Sequence, residues 1–416
     1  MKMQIYKFGG ASVKTPDAFK NVLNIIKDKS NLVIVVSAID KTTNRLENLV
    51  NSKFNNNNDT LLILSKIETF HFDFAKNAFG ECFFNIENEI NVIFNHIREL
   101  LSNELIQSYD ELYDNIVCHG ELLSSLFLSH YLKLHDINNT LLDIREVLVT
   151  DSNFRDAKVL WQESEAPIKS HFTGSGICVT QGFIGKDKLG NNTTLGREGS
   201  DYTASALAFL LDADSVTIWK DVPGIMNADP IWCNFAEKID FLSFREAIEL
   251  AFYGAKIIHP KTIKPIENKN IPLYVKPFNN PQESGTVIKK LDYKLELMPI
   301  YIRKSNQILI SVSPKDFSFV VEENISKLFG LFAKYKAKVN ITQNSAISFS
   351  ASLDGNNRNF DKLISDLKKE YKVRYNTGLE MITIRYYNED SITKMITGKQ
   401  VMLEQRSRTT ARFVLA

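Results

Sequence analysis

Residues suited to chemistry concentrate where a glycine-rich turn opens onto a helix. In TTLGREGSDYTASALAFLL, residues 193 to 211, such a turn runs into an apolar helical pattern. The first N–H groups of that helix have no partner inside it and lie at its positive dipole end, which suits a phosphate or a carboxylate. Arg197 can fork two parallel hydrogen bonds onto a carboxylate. Asp201 can cap the helix or hold a cation such as Lys7 or an ammonium group. Taken alone, the stretch is equally an ordinary helix start with a surface ion pair, because short glycine-rich strings recur by chance. Two distant stretches answer it: KFGGAS from Lys7 and GAKIIHP from Gly254.

Strands and helices must bring these stretches together. MQIYKFGG reads as a short strand entering a Gly–Gly turn. Pro16 to Ser30 then places Phe19, Val22, Leu23 and Ile26 at helical spacing, and Leu32 to Ala38 is a continuous apolar run. Strand, helix and fully apolar strand form the pattern of a parallel βαβ unit covered on both faces. Functional groups in such folds collect at strand ends, where Lys7, Gly9, Gly10 and Ser37 fall. From Arg45 to Lys133 the pattern is helical, broken by Asn55–Asn58 and by Gly80. Its segment NIVCHGELLSSLFLSHYL carries Glu121, which by itself reads first as a solvated helix carboxylate.

GICVTQGFIG and Val216–Lys220 read as further strands, and KDVPGIMNADP as a turn-rich loop. Ser243 caps a helix that Gly254 stops, Pro260 opens a short helix, and IPLYVKPF returns as a strand. This alternation predicts an α/β three-layer sandwich with a largely parallel sheet over about the first 290 residues. Beyond a polar stretch, QILISVS, NISKLFGLFAKYKAK, VNITQN, AISFSASL, NFDKLISDLKKEYK and YKVRYN spell an α+β unit of order βαββαβ. MITIRYYN, a short helix and VMLEQRSRTTARFVLA read as an abbreviated second copy.

The 416 residues exceed one ordinary core. With 50 basic and 49 acidic residues the formal charge is +1, which offers no field for a nucleic-acid backbone. The longest apolar runs, such as LVIVVSAI, are too short to span a bilayer, so no membrane partner is expected. No apolar leader precedes the first strand, and Cys82, Cys118, Cys178 and Cys233 lack metal-ligand or redox spacing; a cytoplasmic protein with reduced thiols is expected. No transition-metal motif occurs, whereas Mg²⁺ accompanying a nucleotide leaves little trace in sequence.

In order along the chain, KFGGAS, VVSAIDKTTN, HGELLS, VTQGFIG, TTLGREGSDYTA, KDVPGIMNADP, ELAFYGAKIIHP and IPLYVKPFNNPQESGTVI resemble the motifs of aspartate kinases, members of the amino-acid kinase superfamily. The tail is similar to the family's paired ACT regulatory domains, which are ferredoxin-like. The resemblance implies a catalytic domain over 1–292, with a helical substrate-side region at about 45–135. A first ACT-like domain is expected at 299–376 and an abbreviated second at 377–416. It also implies transfer of the ATP γ-phosphoryl group to the side-chain carboxylate of L-aspartate, giving 4-phospho-L-aspartate for lysine, threonine and methionine synthesis.

By the same resemblance Lys7 and Asp201 are catalytic, and Lys7, Gly9, Gly10, Asp221, Lys256 and Ile257 bind ATP; Lys220, a departure from the family pattern, is expected to join them. Ser37, Thr43, Glu121, Arg197 and Ser200 bind the amino acid. Mg²⁺ accompanies ATP, held mainly by its phosphates. A homodimer or higher homo-oligomer through the ACT domains is expected, with an amino-acid effector there.

Departures from the family pattern carry further expectations. Glu198 replaces the middle glycine of the usual GRGGSD. Met226 and Ile231 replace a tyrosine and an arginine of the adenine region, so weaker ATP binding or wider nucleotide use is expected. Lys220 stands where a threonine is common and can restore a lost positive charge. At the effector-site candidates Asn340 and Ser345, the usual acidic residue is missing at Asn340, and Ala346 replaces a glutamate; weak or absent lysine feedback is expected. Two other readings remain open: a kinase for another small carboxylate, and a catalytically weak amino-acid sensor on a kinase scaffold.

Overall fold

The computed structural model describes residues 3–103, 108–172, 176–255, 258–292, 297–316 and 318–416. These fall into two units. The first takes in the chain up to Ile225, Lys238–Ile248 and the residues described from Ile258 to Asp292; the second takes in Met226–Glu237, the residues from Glu249 to Ala255 and those from Leu297 onward.

In the first unit the apolar runs become one sheet: β1 (Gln4–Phe8), β2 (Asn31–Val36), β3 (Asn139–Leu142), β4 (Gly176–Gln181), β5 (Ser215–Lys220), β6 (Phe241–Ser243), β7 (Leu273–Pro277) and β8 (Thr286–Lys289). Their order is β6-β8-β7-β5-β1-β2-β4-β3, and every neighbouring pair is parallel except β7 with β8. Such strands are covered on both faces, and Ile5, Val33, Ile34, Val35, Val216 and Ile218 are all buried. β1 lies between β2 and β5, with Lys7 in register with Val35 and Ile218.

Helix α1 (Pro16–Ile26) starts as its sequence dictates, with Pro16 in the first turn and the Thr15 side chain accepting from the Ala18 amide. The long helical region becomes α2 (Thr42–Phe54), α3 (Thr60–Phe79), α4 (Phe84–Ser102) and α5 (Tyr109–Leu134). Leu46, Phe74, Phe94 and Phe127 from these helices share a core with Phe8 and Phe19. The interior glycine of α5 has a packing reason: a Cβ on Gly120 would lie 3.1 Å from the Ala38 Cβ and 3.2 Å from the Thr42 Cγ2. Two helices further along frame the site, α6 (Gly199–Leu210), buried almost all round, and α7 (Pro260–Asn268).

The second unit holds a six-stranded sheet of β9 (Ile300–Pro314), β10 (Val339–Asn344), β11 (Phe349–Asp354), β12 (Tyr371–Arg385), β13 (Val401–Arg406) and β14 (Thr410–Leu415). Its order is β10-β11-β9-β12-β14-β13 and all its pairings are antiparallel. With α8 (Glu322–Lys334) and α9 (Phe360–Glu370) the chain runs β9-α8-β10-β11-α9-β12, the expected βαββαβ order. One difference stands out: YKVRYN and MITIRYYN, read as separate strands, are a single 15-residue strand, β12. β12 pairs along its length with β9, so the two halves share one sheet and neither leaves an edge at their junction. Helix α10 (Glu389–Ile396) lies in the second half. Among the described residues no helix is long and apolar enough to cross a membrane.

Candidate active site

The turns that follow β1, β2 and β5 line a cleft of about 580 Å³. It brings together Lys7, Gly9, Gly10, Ser37, Thr43, Glu121, Arg197, Ser200, Asp201, Lys220 and Asp221. Lys256 and Ile257 lie outside the described residues. Asn340 and Ser345 belong to the second unit, on β10 and directly after it, as do Met226 and the exposed Ile231.

At the floor, Lys7 Nζ lies 2.6 Å from Asp201 Oδ1, and Lys220 Nζ lies 3.9 Å from Asp201 Oδ2. Asp201 sits in the first turn of α6 and is buried. Burial opposes its ionisation, but the Lys7 and Lys220 ammoniums outweigh that and hold its carboxyl below the usual range. One carboxylate pinning two ammoniums leaves net positive charge in a fixed place, the arrangement that stabilises charge building on phosphoryl oxygens.

Close backbone packing shapes the same floor. A Cβ on Gly10 would come within 2.7 Å of the Ala38 carbonyl oxygen and 2.9 Å of that of Asp40. The Ser37 amide donates to the Phe8 carbonyl at 3.1 Å and the Asp40 amide to that of Gly10 at 3.2 Å. The Ser124 hydroxyl of α5 donates to the Ser37 carbonyl at 2.7 Å, tying this loop to the helix that carries Glu121.

Glu121 is not the solvated carboxylate that its helix alone suggested. It is buried; Oε1 receives the Ala38 amide at 3.4 Å and Oε2 has no hydrogen-bond partner. Burial pushes its carboxyl up to about 8. A buried carboxylate with an open oxygen in a cleft suits an ammonium group.

The turn before α6 is set by two carboxylates. Asp114 of α5 accepts from the Thr194 amide at 2.8 Å, the Thr194 hydroxyl at 2.7 Å and the Arg155 amide at 3.0 Å, and burial still raises it to about 6. Glu198, at φ 55°, also lines the cleft, and its Oε2 accepts from the His259 amide at 2.8 Å. No side chain caps α6, so its first amides keep their orientation toward an anion. His259 caps α7, accepting from the Lys261 amide. His119 is buried against His96 at 3.0 Å, and burial lowers it to about 3.

Asp40, Tyr113, Arg155, Phe183 and Trp219 also line the cleft and were not singled out in the sequence. Asp40 and Phe183 lie inside recognised motifs, VVSAIDKTTN and VTQGFIG, and could have been found there. Arg155 lies in DSNFRDAK, which carries no motif. Asp40, Arg155, Phe183 and Glu198 all have positive φ, at 49°, 66°, 71° and 55°. Left-handed backbone at residues other than glycine is costly and gathers at functional sites.

Comparison with known proteins agrees with this geometry. The model of the amino acid kinase family matches residues 2–277. The chain is 30% identical over 391 residues to the lysine-sensitive aspartokinase 3 of Escherichia coli K12, covering 91% of this chain and 86% of that protein. It matches the structure of E. coli aspartokinase III with lysine and aspartate at a TM-score of 0.82 and 26% identity, covering 100% of this chain and 96% of that one. For the same enzyme with aspartate and ADP the TM-score is 0.79, at 27% identity and the same coverage. The chain belongs to the amino acid kinase family and, within it, to the aspartokinases.

Proposed function

We propose that this chain transfers the γ-phosphoryl group of ATP to the side-chain carboxylate of L-aspartate, giving 4-phospho-L-aspartate and ADP. The observation that carries this reading is the meeting in one cleft of Asp201 with its two lysines and of buried Glu121 with its open oxygen. The first pair suits phosphates, and the second suits the ammonium of an amino acid.

In the reaction a carboxylate oxygen of aspartate forms a bond to the γ-phosphorus while the bond to the β-γ bridging oxygen breaks and ADP leaves. The attacking group is already ionised at neutral pH, so no general base is required. The work is positioning and charge stabilisation. Lys7 and Lys220, oriented by Asp201, meet phosphate oxygens, with Gly9 and Gly10 offering backbone N–H groups and Asp221 beside them. Lys256 and Ile257 belong to the nucleotide side. Glu121 holds the substrate ammonium, Arg197 a carboxylate, and Ser37, Thr43 and Ser200 supply hydroxyl groups.

Mg²⁺ would reach the cleft on the phosphates of ATP, because it keeps several waters and is held largely by substrate phosphates. Bound there it would neutralise phosphate charge.

In the second unit we assign Asn340 and Ser345 to an effector region with weak lysine response. The Asn340 amide is already engaged by Lys304, Gln307 and Asp354. Assembly as a homodimer or higher oligomer through this unit belongs to the same proposal.

The test is ADP release from Mg-ATP with L-aspartate, L-glutamate or N-acetylglutamate, with hydroxylamine trapping any acyl phosphate. Aspartate-dependent hydroxamate is the expected product. Turnover only with another acid, or aspartate binding without turnover, would overturn the assignment.

A further inference from the structure

We propose that Arg155 is a substrate-capturing residue at the mouth of the cleft, whose guanidinium draws in and holds a carboxylate of the acidic amino acid. This rests on reading the cleft as the site of such a substrate.

Four observations converge on it. Arg155 lines the cleft together with Thr43, Tyr113 and Arg197. Its backbone is left-handed, at φ 66°, where glycine would sit without strain. That conformation is held by the Arg155 amide, which donates to both oxygens of buried Asp114, at 3.0 and 3.2 Å. A bulky side chain kept in a position suited to glycine points to a use for that side chain.

The guanidinium itself is only lightly held. It lies over the rings of Tyr113 and Tyr109, 4.4 and 5.4 Å from their centroids. Its ion pairs to Glu47 of α2 and Asp110 of α5 are both 3.3 Å long, and all three side chains are more than one-third exposed, at 40%, 37% and 56%. Exposed pairs of that kind contribute little and exchange readily. A planar cation parked on an aromatic platform can therefore turn to a passing carboxylate at small cost. Without Arg155, the carboxylates of Glu47 and Asp110 that pair with it would be left as uncompensated negative charge and repel a dicarboxylate.

Arg155→Gly tests this cleanly. Glycine keeps the amide bonded to Asp114 and accepts the φ, so the fold is retained while the guanidinium is lost. The expected result is a rise of about tenfold in the aspartate KM. The ATP KM and the melting temperature should hold, kcat should fall less than twofold, and the salt dependence of kcat/KM for aspartate should weaken. Arg155→Lys should recover part of the KM. An unchanged aspartate KM and salt dependence in Arg155→Gly would overturn the proposal. So would a parallel loss in both KM values and in melting temperature, which marks a purely structural role. If the unaltered protein turns over no aspartate, the proposed function fails separately; calorimetry with L-aspartate then decides, and equal affinity in both proteins removes Arg155 from the site.

Discussion

The carboxylate of Glu198 accepts a hydrogen bond from the His259 amide at 2.8 Å and so joins the glycine-rich turn before α6 to the start of α7. Glu198 lines the cleft, and this bond engages its carboxylate and braces the turn. Glu198→Ala removes a charge-assisted bond and keeps the left-handed strain, and should cost about 1–2 kcal/mol in denaturant unfolding. Glu198→Gly loses the same bond but recovers up to about 1 kcal/mol of backbone strain, so its loss should be smaller. Glu198→Gln, which keeps an acceptor, should stay near the parent. A glycine variant less stable than the alanine variant would contradict this account.

The two lysines around Asp201 should separate by their effect. Lys7→Met removes the 2.6 Å partner of a buried carboxylate. It should lower kcat roughly 100- to 1,000-fold and destabilise the protein by about 3 kcal/mol. Adding Asp201→Asn should restore stability without restoring activity. Lys220, at 3.9 Å, is the outer partner; Lys220→Met should raise the ATP KM and reduce kcat far less. An unchanged ATP KM in that variant would remove Lys220 from the nucleotide.

Glu121 sets a pH dependence of known sign. Burial raises its carboxyl from 4.5 to about 8, so between those values the folded protein holds a proton that the unfolded chain has released. Its contribution to stability is full below the lower value, falls as pH rises through the window and levels off above the upper one. Asp114, raised to about 6, acts with the same sign lower down. Glu121→Gln should therefore flatten the melting-temperature profile and raise it in mild alkali, while abolishing aspartate affinity. An ammonium needs the ionised partner, so the aspartate KM should fall between about pH 6.5 and about pH 8.5, and binding in neutral buffer should release a proton. Calorimetry in buffers of different ionisation enthalpy reads that proton directly; its absence would leave Glu121 without the assigned role.

Asn340 donates to Asp354 at 2.7 Å and to Gln307 at 2.8 Å and accepts from Lys304 at 2.8 Å. Sub-millimolar lysine should consequently leave aspartate turnover nearly unchanged. Asn340→Asp should not create sensitivity, because the new carboxylate would face Asp354 at hydrogen-bond distance; about 1–2 kcal/mol of stability should be lost instead. Strong lysine inhibition of either form would refute this reading.

How much of this was legible varied with the range of the forces involved. The β and α alternation, the cap at Ser243, and the helices of the 45–133 region follow from periodicity and turn residues within a few positions. Motif order also indicated which residues would share a cleft. Glu121 was legible only through its motif, because a carboxylate on an apolar helix carries no mark of the Ala38 loop that Gly120 lets approach. Arg155 was invisible, since its place in the cleft depends on Asp114, 41 positions earlier.

By itself the amino-acid sequence determined the strands, helices and glycine turns, because backbone sterics and hydrophobic periodicity act locally. Only the tertiary structure decided that Lys7 and Lys220 meet across Asp201, that Glu198 bonds the start of α7, that Arg155 lines the cleft and that β12 runs unbroken. Those outcomes depend on strand order, close backbone approach and left-handed φ values, which are settled when distant segments pack and compete for the same buried partners.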